Sequence, residues 1–162
     1  MNNKPIMILA LSSVLTVNVF ATNLLPTQYT LTTELAESIA KAAVTECHKS
    51  KANVSVSVVN DQGRLIYFYR GNSTGSNTIH TSYRKAYTSA TLKAPTSALS
   101  GILETKGYSQ LGKMEDDILL LTGGLPIFYK GQLVGAVGLS GSPNPKLEEA
   151  CGIIGLKVLE QS

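Results

Sequence analysis

The chain has 162 residues, enough for one domain with a substantial core, and is 43% hydrophobic against 15% charged. Its formal net charge of +3 is weak and scattered, which argues against a nucleic-acid-binding role, and the composition is not that of a disordered chain.

Residues 1–21 stand apart. Lys4 gives a basic start, PIMILALSSVLTV is an apolar run of signal-peptide length, and Val19-Phe20-Ala21 fits a small-x-small cleavage site before Thr22. A membrane span needs about 20 apolar residues, more than this serine-interrupted run supplies. The reading is a cleaved signal peptide over 1–21, with a buried N-terminal helix as the alternative. It implies export, periplasmic or secreted. A flexible lead-in over 22–30 and a single domain over 31–162 follow.

A helix is expected over 33–49, capped by Thr32 or Thr33, with Glu34 and Glu37 in its first turn, where the macrodipole favours them. NVSVSVV (53–59) alternates valine with serine as a half-buried strand does, Asn60-Asp61-Gln62-Gly63 turns, and RLIYFYR (64–70) returns. After the polar loop 71–78, residues 80–94 form a helix with the stripe Tyr83, Ala86, Tyr87, Ala90, Ala94, ended by Pro95. Thr96-Ser97 caps a third helix over 97–105. Strands are expected over 117–121, 126–130 and 132–140, and a last helix over 146–160. This order predicts an α/β (α+β) domain with a five-stranded, mostly antiparallel sheet covered by helices on both faces.

Two cysteines in an exported chain raise the question of a disulfide. Cys47 continues the stripe Leu35, Ile39, Ala43, and Cys151 lies on the stripe Leu147, Ile154, Val158 of the last helix. If those helices pack antiparallel, the sulfurs can meet. Two separate buried thiols fit the pattern equally well.

Three blocks in order, VSVVNDQGRLIYFYRGN, YRKAYTSATLKAPT and GGLPIFYKGQLVGAVGLSG, resemble the haem-binding HbpS-like family that includes GlcG. The resemblance spans about residues 31 to 160, and the last block is its most specific part. Two departures stand out. Asn60-Asp61-Gln62-Gly63 replaces an Asp-x-Gly-Gly turn, and Lys146-Leu147-Glu148 stands where many members carry Gln-Asp-Glu. The resemblance implies a profilin-like fold, a homo-oligomer, and binding of haem or a related tetrapyrrole. Some members are described as haem-degrading and some as exported sensors.

Haem needs an apolar slot, an axial ligand and cations or hydroxyls for its propionates. The segment from His80 through Tyr83, Arg84, Lys85, Tyr87 and Thr88 is the richest such constellation in the chain, with Arg70 beside the preceding loop. His80 is the candidate iron ligand, the alternative being a solvated histidine at a helix start. Lys85 suits either a propionate or an acidic partner that fixes the helix, and Arg70 has the same two readings. His48 is explained by a helix C-terminus, and Glu115-Asp116-Asp117 reads as a solvated loop more readily than a cation site. Gly138-Leu139-Ser140-Gly141 lacks the Gly-x-Ser-x-Gly spacing of a nucleophile elbow, and there is no phosphate loop or dinucleotide fingerprint. Three functions remain: an exported haem-binding protein for haem or iron handling or oxidative-stress sensing, a haem-degrading enzyme, and a cofactor-free partner-binding module. Non-enzymatic binding is favoured.

Overall fold

The computed structural model describes residues 27–106 and 110–161, so the expected signal peptide over 1–21 lies outside the described residues. Four helices, α1 (Thr33–Lys49), α2 (Thr78–Leu92), α3 (Thr96–Lys106) and α4 (Pro145–Leu156), surround strands β1 (Ser55–Asn60), β2 (Leu65–Tyr69), β3 (Gly124–Tyr129) and β4 (Gln132–Ser140). All pairings are antiparallel, in the spatial order β2-β1-β4-β3.

Local signals explain most boundaries. The Thr32 hydroxyl accepts from the Leu35 amide at the start of α1, and Asn144 caps α4 ahead of Pro145. In the β1–β2 turn, the Asn60 side chain accepts from the amides of Gln62 and Arg64. Lys130 and Gly131 both have positive φ, 48° and 79°, as a two-residue hairpin of the primed type requires. Within the lead-in, Gln28 donates to Asp61 and the Tyr29 amide donates to the Gln132 side chain, 2.9 Å away.

Alternation along the strands sorts side chains onto two faces. Val54, Val56, Val58, Leu125, Ile127, Val137 and Leu139 pack with Ile39, Ala43 and Cys47 of α1 and Cys151 of α4. Val59 and Ala136 face the other way, against Ala86 and Ala90 of α2. The terminal helices thus cover one face and α2 the other.

Close approach depends on missing side chains. A Cβ on Gly138 would lie 2.1 Å from the Ser82 carbonyl oxygen, so α2 rests directly on β4 there. A Cβ on Gly155 would lie 2.7 Å from the Ile39 carbonyl oxygen. With Gly155 over Ile39 and Cys151 over Cys47, α1 and α4 run antiparallel. The structure joins Cys47 to Cys151, with Cα atoms 5.4 Å apart across a sequence separation of 104.

The sheet has four strands among the described residues, and the expected strand over 117–121 is not one of them. Side chains take the backbone groups that a ladder would use. The Leu119 amide donates to the Thr88 hydroxyl (2.7 Å), Arg84 donates to the Ile118 carbonyl (3.1 Å), and the Ser100 hydroxyl donates to the Leu120 carbonyl. The segment is apolar because it packs under α2 and α3, with Ile118 buried. The Thr96 hydroxyl, expected to help cap α3, accepts instead from the Gly124 amide at the start of β3 (2.9 Å).

Candidate functional site

Helix α2 distributes the candidate residues over three surroundings, as its 3.6-residue period dictates. Ser82, Lys85 and Ser89 turn toward the sheet and are buried. Arg84 and Thr88 hold the segment 118–119 as described above. His80, Tyr83 and Tyr87 follow one another along the remaining side.

The sheet-facing side holds a buried ion pair. Lys85 Nζ lies 2.6 Å from Glu148 Oε2, and both side chains are under 5% exposed. Lys85 also donates to the Leu139 carbonyl at 2.8 Å. The other Glu148 oxygen accepts from the amides of Gly141 (2.8 Å) and Ser142 (2.9 Å). The pair therefore ties α2 on one face to α4 on the other, around the end of the sheet where β3 starts and β4 stops. Gly123 leaves room for it, since a Cβ there would sit 3.0 Å from Lys85 Nζ and 3.1 Å from Glu148 Oε2. Of the two readings of Lys85, the acidic partner is present. Nothing local marks Glu148 as the partner of Lys85: an acid in the first turn of a helix already has a local explanation, and 63 residues separate the two.

His80 is exposed in the first turn of α2. With Leu65, Phe68, Ile79 and Tyr83 it lines a predominantly apolar groove of about 330 Å³ beside edge strand β2. Leu65 is 52% exposed, unusual for a leucine within a strand. Burial, followed by the nearby Asp117 carboxylate, pushes the Tyr83 phenol above its ordinary range. Tyr87 lies 6.0 Å from Tyr83, ring centre to ring centre, and packs on the β1–β2 turn where Gly63 leaves space. Arg70 is exposed and its guanidinium donates to the Thr74 carbonyl at 3.2 Å. The structure thus brings His80 and Tyr83 together on one groove, and places Arg70, Arg84, Lys85, Tyr87 and Thr88 in other contacts.

His48 is exposed in the last turn of α1. Among the described residues, no group of three or more His, Cys, Asp or Glu side chains gathers in a way that would hold a metal ion. No helix among them is long and apolar enough to cross a membrane.

An apolar groove with one imidazole at its rim suits a flat, hydrophobic ligand with a metal at its centre. The chain is 30% identical over 121 residues to Protein GlcG of Escherichia coli K12, covering 70% of this chain and 84% of GlcG. The crystal structure of HbpS superposes with a TM-score of 0.78 at 33% identity, covering 85% of this chain and 96% of that one. A double mutant of Streptomyces reticuli HbpS gives the same TM-score at 32% identity, covering 93% and 98%. The PduOC:haem complex has the same fold (TM-score 0.73, 20% identity, 79% and 94% covered). The family model described as "Haem degrading protein HbpS-like" matches residues 31–157. The chain therefore belongs to the HbpS-like family.

Proposed function

We propose that this protein is an exported, homo-oligomeric haem-binding protein, serving haem or iron handling or oxidative-stress sensing. The observation that carries the reading is His80, an exposed imidazole on a groove walled by Leu65, Phe68, Ile79 and Tyr83. Membership of the HbpS-like family supports it, as does the haem complex of PduOC, a protein of this fold.

The donor set fits haem. A neutral imidazole is a common axial ligand, and the apolar walls shield the macrocycle from water. A groove of about 330 Å³ is near the small end of ligand sites, which run to ~300–1,000 Å³. It therefore receives part of a tetrapyrrole rather than enclosing it. His80 would hold the iron, and Tyr83 would offer its ring to the macrocycle and its hydroxyl to a polar edge. Bound haem supplies an iron centre for small ligands and electron transfer; the chain supplies binding, orientation and the exclusion of water from one face.

Titrating hemin into the purified protein tests the reading. A saturable Soret shift at one equivalent, weakened or moved by His80→Ala, is the expected result. No shift at stoichiometric hemin refutes haem binding. A shift unaffected by His80→Ala removes the axial role of His80 and makes the Tyr83 hydroxyl the next candidate. The family model's description also favours a second reading, haem degradation. Loss of the Soret band with reductant and oxygen, unaffected by catalase, would support it.

A further inference from the structure

A second cavity, of about 480 Å³, opens at the end of the sheet where α2, α4 and the 120–122 segment converge. It shares no lining residue with the His80 groove. Its walls include Asn77, Thr81, Thr122, Ser140 and Ser142, and at its base are the paired Lys85 and Glu148.

We infer that this cavity binds a small, neutral, polyhydroxylated molecule such as a polyol or monosaccharide. A lysine ammonium carries three donors, and Lys85 uses two of them on Leu139 and Glu148. The third is held in place by a side chain only 4% exposed. The Thr122 and Ser140 side-chain hydroxyls have no hydrogen-bond partner among the described residues. Each donates once and accepts twice, as the hydroxyls of a polyol do. The Thr81 hydroxyl donates to the Asn77 carbonyl and keeps its acceptor capacity toward the cavity.

Charge selects the neutral ligand over an anion. Glu148 stands 2.6 Å from Lys85 Nζ and cancels its charge. A carboxylate or phosphate on the third Lys85 donor would lie within a few ångströms of the Glu148 carboxylate, and the lining holds no second cation among the described residues. A hydroxyl meets no such repulsion, and its donor and acceptor capacity matches the wall. Leu121 and Pro145, both exposed, also line the cavity, which therefore reaches the surface. This site is independent of the haem reading.

Saturation-transfer NMR on the purified protein with glycerol, D-glucose, acetate and phosphate as separate probes tests the inference. Transfer to glycerol or glucose is expected, with at least a tenfold loss of affinity in the double variant Ser140→Ala, Thr122→Val. Its far-UV circular dichroism and hemin titration should remain those of the parent. Three results would overturn the inference: no transfer to either neutral probe, transfer indifferent to the double variant, or tighter binding of acetate or phosphate. If the double variant unfolds, Ser140→Ala alone, which removes one hydroxyl at the same cavity, must weaken the neutral probe or the assignment is wrong.

Discussion

Replacing Glu148 by glutamine separates the buried pair from ordinary surface ion pairing. The substitution conserves shape and retains a carbonyl that can accept from Gly141 and Ser142, but it sets a neutral amide beside the Lys85 ammonium. Both side chains are under 5% exposed, so water cannot replace the lost charge. Breaking such a pair costs about 3–5 kcal/mol. Lys85→Met, which strands the Glu148 carboxylate, should cost a similar amount for the same reason. The double variant Lys85→Met, Glu148→Gln removes both charges and should be less destabilised than the two singles together, with a coupling of about 2 kcal/mol or more. Urea unfolding midpoints, measured with the disulfide oxidised, give all four corners of the cycle. The exposed pair Glu37–Lys41 serves as the control, and Lys41→Met should leave the midpoint unchanged. If the two single variants each cost under about 1 kcal/mol and their effects add, the pair behaves like a surface contact. The staple between the two helical layers would then be refuted.

The Cys47–Cys151 link closes a loop of more than 100 residues, and removing it by Cys47→Ser with Cys151→Ser should cost about 4–5 kcal/mol in the chain-entropy model. Mass spectrometry after alkylation, with and without reduction, checks that the bond forms. Gly138→Ala drives a methyl group against the Ser82 carbonyl and should lower stability by about 1–3 kcal/mol, read from the denaturation midpoint. Thr88→Val removes the acceptor of the Leu119 amide, so that amide should exchange faster and stability fall by about 1–3 kcal/mol. Tyr83 holds its proton more tightly in the folded state, chiefly through burial and then through Asp117. Its contribution is therefore complete below the ordinary tyrosine value of 10.0 and is lost as pH rises through the higher folded value. Tyr83→Phe should flatten the decline of the urea midpoint above pH 10, and an unchanged slope would remove Tyr83 from the account.

The local elements were legible in the sequence because their causes are local. Valine–serine alternation placed β1, Lys130-Gly131 placed the β3–β4 hairpin, and the stripes through Cys47 and Cys151 placed both sulfurs in the core. The glycine-rich last block, with the two blocks before it, pointed to the family. The segment 117–121 was misread for an equally physical reason. Its apolar run records burial, and burial beneath α2 and α3 gives the same pattern as burial in a sheet. The hydrogen-bond partners that decide between them, Thr88, Arg84 and Ser100, lie about 20 to 34 residues away in sequence.

The candidate site divides in the same way. Sequence determined that α2 concentrates an imidazole, two phenols and two cations within eight positions. The apolar stripe Tyr83, Ala86, Tyr87, Ala90 leaves Lys85 off the packed side, whereas the fold buries Lys85 with Ser82 and Ser89 and leaves Tyr83 and Tyr87 half-buried. Only tertiary packing left His80 and Tyr83 on the groove and turned Lys85 toward the sheet. Glu148 became its partner because the end of the sheet brings the first turn of α4 beside the middle of α2. A charged side chain taken out of water must be paired wherever the fold puts it. The fold, not the spacing in the chain, brought the partner.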